Sequence, residues 1–315
     1  MEIFSPGKVN LALNVGSKQP DGYHRVDSIF HTIELGDIVT LELAETLSVT
    51  CSVDLGIAQE DNLMFKAARA FDAAFNTQSN VAIHVEKSLI AGGGLGGGSS
   101  NAAAVLYALA LANNIGVHDK RLLEVAAQLG SDVPVFLAPT GASLMTRRGE
   151  HIEEALPAAA GVPIVIAWPV GAHSETGAVY QAFDEHPVAR KSMDSLRDYL
   201  RLLPSAHNSA NFTVAENLIS TQAHILAGEL YNNLSEAAIR VTPEVGDVLL
   251  FLLAQPQTLG ATVSGSGACS FALCSTYDEA FELANQCQLQ GWGARATRLR
   301  ARGVSKINGV DSIHE

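Results

Sequence analysis

The chain has 315 residues, enough for one large or two medium domains, and its 47% hydrophobic and 17% charged residues are ordinary for a globular enzyme. Its 33 acidic residues outnumber the 20 Lys and Arg, and this balance of −13 argues against nucleic acid as a partner. No apolar run approaches the about 20 residues of a membrane span, and the N-terminus lacks the pattern of a signal peptide, so we expect a cytosolic protein with no membrane partner.

The first part of the chain alternates polar and apolar residues as β-strands do. In residues 8–15, Val9 and Leu11 lie on one face of a strand, while Lys8 and Asn10 share the other face. An Asp-Gly turn follows at residues 21–22, and Asp61 or Asn62 caps a helix. The predicted elements here are strands at 8–15, 24–35, 38–43, 47–53 and 81–87 and a helix at 61–74.

A loop almost without side chains follows the last of these strands. Its six glycines let the backbone take positive φ, so that N–H groups can converge on one set of anionic oxygens. Two serines add hydroxyl donors, and a helix predicted at 100–113 directs its positive dipole end at the same place. This pattern predicts a phosphate-binding loop that consists of Gly92, Gly93, Gly94, Leu95, Gly96, Gly97, Gly98, Ser99 and Ser100.

Other glycine motifs fit this loop less well. A P-loop ends in Gly-Lys-Ser/Thr, whereas the residue directly before Ser99 is Gly98 and not a lysine. Gly92, Gly94 and Gly97 satisfy the G-x-G-x-x-G pattern, but a dinucleotide fingerprint should open the first βαβ unit of a parallel sheet. A linker or a tight turn would account for two or three glycines, not for six with serines at a helix start.

Strands and helices then mix without strict alternation, which favours an α+β fold. We predict helices at 120–129, 214–226, 243–255 and 278–288, strands at 141–148, 162–168 and 294–301, and a strand, glycine turn and strand over 261–274. Residues 186–212 are predicted to be irregular around a short helix. The chain divides into an N-terminal domain (1–160), a C-terminal domain (161–304) and a fraying tail (305–315). The cysteines have no metal-ligand spacing and are predicted to be reduced and buried: Cys51, Cys269, Cys274 and Cys287.

Three separated segments resemble, in order and spacing, the signature motifs of the GHMP kinases, a superfamily of small-molecule kinases. They are Ser-Pro-Gly-Lys-Val-Asn-Leu at 5–11, the glycine loop at 92–101, and Val-Ser-Gly-Ser-Gly-Ala at 263–268. Segments 20–24, 130–136 and 145–150, with Asp-Gly-Tyr-His, Ser-Asp-Val-Pro and Arg-Arg-Gly-Glu, are similar to one branch of it. That branch phosphorylates the 2-hydroxyl of a cytidine diphosphate conjugate of methylerythritol in the non-mevalonate isoprenoid pathway.

The resemblance implies a two-domain α+β fold, with an N-terminal domain like ribosomal protein S5 domain 2 and a ferredoxin-like C-terminal domain. It implies ATP as phosphate donor, Mg²⁺ as cofactor, a small-molecule substrate, and a monomer or homodimer; no residue is assigned as a metal ligand. Two rivals remain. One is another GHMP kinase, of the homoserine or mevalonate type, and the other is an inactive nucleotide-binding sensor on the same fold.

Lys8 and Asp132 are the predicted catalytic residues. Phosphoryl transfer to an alcohol needs an acceptor oxygen held in line, a carboxylate beside its proton, and positive charge facing the γ-phosphate. By resemblance Asp132 supplies the carboxylate, as a base or as a positioning group, and Lys8 orients it. The alternatives are a helix N-cap for Asp132 and a snorkelling strand-end lysine for Lys8.

The binding residues are assigned by resemblance alone. Asn10 contacts the methylerythritol group, His24 reads the cytosine edge, and Tyr23 and Tyr180 offer stacking faces. Asn62 and Lys87 lie around the adenine pocket. A second glycine loop closes over the substrate phosphates or braces the first one, and it consists of Ser264, Gly265, Ser266 and Gly267. The alternatives are a structural His24, a solvated Lys87 and a simple β-turn at 264–267.

Overall fold

Two β-sheets organise the computed structural model, which describes residues 1–204 and 216–307. The strands are β1 (Glu2–Lys18), β2 (His24–Leu43), β3 (Ser48–Cys51), β4 (Val81–Glu86), β5 (Ala142–Thr146), β6 (His151–Leu156), β7 (Pro163–Trp168), β8 (Tyr231–Asn232), β9 (Gly260–Val263), β10 (Ser270–Leu273), β11 (Gly293–Arg298) and β12 (Ser305–Lys306). The helices are α1 (Leu63–Phe75), α2 (Gly97–Ala112), α3 (Lys120–Leu129), α4 (Val133–Phe136), α5 (Thr176–Glu185), α6 (Asp194–Arg201), α7 (Glu216–Glu229), α8 (Ser235–Val241), α9 (Pro243–Ala254) and α10 (Tyr277–Leu289).

The larger sheet has eight strands in the order β12-β1-β2-β4-β3, with β5 and β8 paired to β2 and β1 and with β6 at the far side of β5. Helices α1 and α2 pack together over it, and their apolar side chains form a core with Phe30, Val39 and Ile83 from the strands. The alanine-rich helix α2 is apolar around its whole circumference, and residues 100–110 are buried. A helix that is apolar on all sides is expected to be buried, and the burial of α2 extends to Ser100 near its N-terminus.

The smaller sheet has the order β11-β7-β10-β9, and α9 and α10 pack on it. A second apolar cluster joins the two sheets, because it contains Val9 and Ile29 from the large sheet and Ile164 and Phe271 from the small one. Burial raises the pKa of the Cys274 and Cys287 thiols, to about 12 and about 11. All four cysteines are free and Cys51 is only half-buried, so the prediction of reduced thiols is confirmed and the prediction of burial holds for the other three.

The structure follows most of the predicted elements and changes several of them. Helix α3 has the predicted bounds, whereas the strands predicted at 24–35 and 38–43 are one continuous strand, β2. Helix α2 begins at Gly97, three residues before the predicted start, and α5, α8 and β6 were not predicted.

The ends of the predicted segments also differ. Fraying from residue 305 is wrong for Ser305 and Lys306, because they pair with β1 as β12. The short helix expected within 186–212 is α6. Residues 205–215 and 308–315, which include parts of that segment, of the helix predicted at 214–226 and of the tail, lie outside the described residues. Within the described ranges no helix has the length and apolar character needed to cross a membrane.

Candidate active site

The first glycine loop leads directly into the buried helix α2. Gly92, Gly94 and Gly96 have φ of 70°, 75° and 70°, the left-handed conformation that glycine adopts without strain. Gly96 is the N-cap, so Gly97, Gly98 and Ser99 form the first helical turn. Their N–H groups are the ones that an α-helix leaves without internal partners. An anion placed at this end of α2 would therefore meet both these donors and the positive end of the helix dipole.

The two serines after the glycines have different environments. Ser99 lines the cavity beside the loop, as predicted for a ligand-binding residue. Ser100 is fully buried, and the Oγ of Ser5 lies 2.8 Å from its Oγ and 2.8 Å from Oδ1 of Asn101. These bonds fix the start of α2 to β1, so the structure gives Ser100 a scaffold role.

Lys8 and Asp132 come together at the floor of the cavity. The Lys8 Nζ lies 3.5 Å from Oδ2 of Asp132 and donates a 2.8 Å hydrogen bond to Oδ1 of Asn10. Asn10 in turn donates to Ser28 Oγ at 2.8 Å. Lys8 is only 4% exposed, which excludes a snorkelling side chain. Asp132 stands at the N-cap of α4 but makes no side-chain capping bond, so its carboxylate is available to a ligand.

The second glycine loop packs against the first. Ser264 Oγ donates to the Gly94 carbonyl at 3.1 Å, and the Cys269 N–H donates to the Gly93 carbonyl at 3.1 Å. The loop therefore braces the first glycine loop, as one of the two predicted alternatives required. Gly265 and Ser266 also line the cavity, whereas Ser264 is fully buried. Gly267 has a φ of 89° and closes a turn by donating its N–H to the Ser264 carbonyl at 3.0 Å.

The cavity between these loops has a volume of about 580 Å³. At its outer end, Asn62 caps α1 by accepting a 2.9 Å bond from the Met64 N–H through Oδ1, which leaves its amide N–H groups for a ligand. Lys87 also lines the cavity, with its Nζ 2.5 Å from Oδ2 of the fully buried Asp37. Its side chain is 7% exposed, so the solvated alternative for Lys87 is wrong. Apolar walls from Leu55, Ile57, Leu63, Met64 and Ile90 complete this end.

A second cavity of similar volume adjoins the first and contains the predicted base-recognition residues. His24 is 8% exposed, its Nε2 lies 2.7 Å from Oδ1 of Asp184, and its ring centroid lies 4.9 Å from that of Tyr180. Burial, together with the charge of Asp132, raises the pKa of Tyr180 to about 12, so this phenol stays protonated at neutral pH. Tyr23 is 57% exposed at the rim.

Known proteins match this sequence over most of the chain. The model of the GHMP kinase N-terminal domain matches residues 62–139, and that of the C-terminal domain matches residues 214–291. A 4-diphosphocytidyl-2-C-methyl-D-erythritol kinase from Sulfurihydrogenibium is 32% identical over 301 residues, which cover 95% of this chain and all of the relative. The chain belongs to the GHMP kinase family.

Solved structures of GHMP kinases have the same fold as this chain. A crystal structure of 4-(cytidine 5'-diphospho)-2C-methyl-D-erythritol kinase superposes with a TM-score of 0.73 at 30% identity, covering 95% of this chain and 99% of that one. A homoserine kinase from Cytophaga hutchinsonii reaches a TM-score of 0.71 at 17% identity, over 98% of this chain and 97% of that one. At that identity the second match shows the shared two-domain fold alone.

Several residues of this GHMP kinase site escaped the sequence analysis. Phe183 and Asp184 face His24 beside Tyr180, which the resemblance had already named, and their spacing from Tyr180 of three and four residues places all three on one side of α5. That spacing was a usable signal, although no helix was predicted there. Asp37 and Arg148 gave weaker signals, because a carboxylate within a strand and an arginine in a turn are both common on protein surfaces.

Proposed function

We propose that this kinase transfers the γ-phosphate of ATP to the 2-hydroxyl of 4-diphosphocytidyl-2-C-methyl-D-erythritol, giving the 2-phosphate and ADP. The observation that carries the proposal is the Lys8–Asp132 pair, which lines the same cavity as the first turn of α2 and is next in sequence to Ser131 at the boundary with the second cavity. Relatives that bear the name of this activity match nearly the full chain. The reaction would serve the non-mevalonate route to isoprenoid precursors.

In this proposal Asp132 accepts the proton of the acceptor hydroxyl as its oxygen bonds to the γ-phosphorus. The bond from that phosphorus to the β–γ bridging oxygen breaks, and ADP leaves. Lys8 lies between Asp132 and Asn10, so its ammonium group offsets the charge that develops on the transferred phosphoryl group. Asn10 holds Lys8 in place and, in our assignment, contacts the methylerythritol group.

The nucleotide would lie along the first glycine loop. Its phosphates would meet the first turn of α2 and Ser99, and its adenine would lie in the apolar end of the cavity near Asn62 and Lys87. Asp37 neutralises the charge of Lys87, so Lys87 acts there as a hydrogen-bond donor more than as a free charge.

Mg²⁺ fits this site as an ion shared with substrate phosphates. Within the described ranges no cluster of three or more His, Cys, Asp or Glu side chains could hold a metal by itself. Mg²⁺ in phosphotransferases is commonly bound through one or two carboxylates, phosphate oxygens and water. Ser99 lines the cavity at the first turn of α2 and would hold the ion together with phosphate oxygens and water, and there it would neutralise charge on the phosphates.

The test is ADP release with a panel of alcohols. The cytidine diphosphate conjugate should be phosphorylated, whereas methylerythritol 4-phosphate, homoserine and mevalonate should be turned over at least about 10²-fold less efficiently, because they leave the base-recognition groups unpaired. Phosphorus NMR of the product identifies the hydroxyl that is modified. Efficient turnover of homoserine or mevalonate would replace the proposal with another GHMP activity, and no turnover of any alcohol would favour the inactive sensor.

A further inference from the structure

The two cavities meet at a short boundary whose residues line both of them. The boundary residues are Val26, Ser131, Arg148, Thr176 and Tyr180. Arg148 is the one cation in this set. On the basis of the proposed function, we infer that Arg148 binds the diphosphate of the acceptor substrate and thereby selects nucleoside diphosphate conjugates over uncharged alcohols.

The covalent order of the substrate supports this assignment. In a cytidine diphosphate conjugate, the diphosphate lies between the cytidine and the alcohol that reacts. His24 and Tyr23 line only the second cavity, while Lys8 and Asp132 line only the first. A substrate that reaches from one set of residues to the other must place its diphosphate at the boundary, beside Arg148.

The guanidinium of Arg148 is already held in position there. Its Nη2 donates a 2.6 Å bond to Oδ2 of Asp21, and its Cζ lies 4.2 Å from the centre of the Tyr23 ring. The Asp21 carboxylate also accepts the Tyr23 N–H at 3.0 Å, and these two bonds lower the pKa of Asp21. In the part of the chain that the structure describes, no other group hydrogen-bonds the guanidinium. Its Nε and Nη1 donors therefore remain for a phosphate, which arginine binds in a bidentate geometry.

The other cations along the cavities are placed for other tasks. Lys8 is bound to Asp132 and Asn10 at the reacting end, and Lys87 is paired with buried Asp37 at the nucleotide end. Lys18 lines the second cavity alone, away from the boundary. In a chain with a net charge of −13, this distribution makes Arg148 the local source of positive charge for the diphosphate.

The turn between β5 and β6 supplies a matched control residue. Arg147 has a φ of 68°, and its carbonyl accepts a 2.6 Å bond from the Val26 N–H, which ties the turn to β2. Arg147 lines a separate cavity with Arg25, Thr146 and Glu153 and lines neither cavity of the active site. Two neighbouring arginines in the same turn thus differ in whether they reach the substrate boundary.

The experiment compares Arg148→Gln, Arg148→Lys and Arg147→Gln in the full chain. Because the loss of a charge-assisted contact to phosphate weakens binding by about tenfold to 100-fold, Arg148→Gln should raise KM for the conjugate by that factor. The KM for ATP should stay within about twofold, since the nucleotide lies elsewhere. Arg148→Lys should be intermediate, because it retains the charge and loses the planar fork, and Arg147→Gln should match the wild type.

Inhibition by CDP and by cytidine, each measured against the conjugate, locates the contact. The wild type should bind CDP more tightly than cytidine, and Arg148→Gln should remove most of this preference while leaving cytidine inhibition unchanged. Equal weakening of both inhibitors would overturn the inference, since it would assign Arg148 to the base pocket through Tyr23. The inference would also be overturned if the wild type turned over the conjugate and Arg148→Gln had the same KM for it. Absence of wild-type turnover would overturn the proposed function instead, and the inference with it.

Discussion

At the scale of single residues, the site depends on which polar groups are occupied by the protein itself and which are left for a ligand. The amide oxygen of Asn62 is used as a helix cap while its amide hydrogens are not, and Asp37 uses both carboxylate oxygens on Lys87 and on the backbone N–H groups of Ser88 and Leu89. Asp132 differs from both, because among the described residues Lys8 is its one charged partner at short range and about a third of its side chain is exposed. It is therefore a group available for proton transfer.

Asp132→Asn tests that role. The substitution is nearly isosteric and makes no new cavity, so nucleotide affinity and melting temperature should stay close to the wild type, while kcat should fall by at least about 10²-fold because the general base is lost. Steady-state kinetics and ATP titration measure the two quantities separately. The matched control is Asp247→Asn, an exposed position on α9, which should leave kcat unchanged. An Asp132→Asn enzyme with most of its turnover would remove Asp132 from the chemistry.

At the scale of elements, the glycines of the first glycine loop have two different roles, which Gly94 and Gly97 illustrate. A Cβ built on Gly94 would lie 2.2 Å from the Ser264 carbonyl oxygen, so this glycine permits contact between two backbones. A Cβ on Gly97 would lie 3.3 Å from Lys87 Nζ, the flexible end of a side chain, and Gly97 does not have positive φ. From the sequence all six glycines resemble one another as phosphate contacts.

Two alanine substitutions separate these functions. Gly94→Ala should lower the free energy of unfolding by about 2 kcal/mol or more, because it combines a positive φ with a backbone clash. Gly97→Ala should keep the melting temperature, since alanine favours a helical first turn, and should weaken ATP binding about tenfold by displacing Lys87. Thermal unfolding and ATP titration of both variants decide the matter. A Gly97→Ala protein with normal ATP affinity would contradict the placement of ATP beside Gly97 and Lys87.

At the scale of the whole molecule, one buried histidine connects the large sheet to the chain that enters the small one. The His31 ring is fully buried, with Nδ1 donating to the Thr32 carbonyl at 2.9 Å and Nε2 accepting the Ala159 N–H at 3.0 Å. The bond that Nε2 accepts requires a neutral ring, and burial lowers the pKa of His31 from 6.5 to about 4 although the bond to the Thr32 carbonyl opposes this shift. Protonation of this residue is therefore coupled to unfolding.

The sign of this coupling gives a prediction for stability against pH. In the unfolded chain His31 binds a proton below about pH 6.5, whereas in the folded chain it does so only below about pH 4. The stability that comes from a neutral ring is therefore complete above pH 6.5 and is lost as the pH falls from 6.5 to 4. The destabilisation of His31→Gln relative to wild type should shrink by about 2 kcal/mol between about pH 7.5 and pH 5. Urea unfolding measures it. His224→Gln, at an exposed histidine, should show no such change, and an equal pH slope in all three proteins would contradict the linkage.

The sequence predicted local features of the molecule better than contacts between distant segments. Alternation placed Lys8 and Asn10 on one face of β1, and the glycine run located the start of α2 to within three residues. Burial of Lys87 against Asp37 could not be foreseen, because it depends on strand pairing between β2 and β4. Helix α5 was missed because it has only ten residues and a glycine at its second position, which makes the amphipathic pattern weak.

The contact between the two glycine loops has a consequence for how such a chain can change over generations. Gly93 and Gly94 accept hydrogen bonds from Cys269 and Ser264, and no side chain larger than hydrogen fits at Gly94. A mutation that reshapes one loop is thus tolerated only when the other loop changes to match. Chimeras that exchange one half of this kinase with a distant relative should lose ATP binding unless both loops come from the same parent. We therefore expect substitutions in the two loops to be selected together.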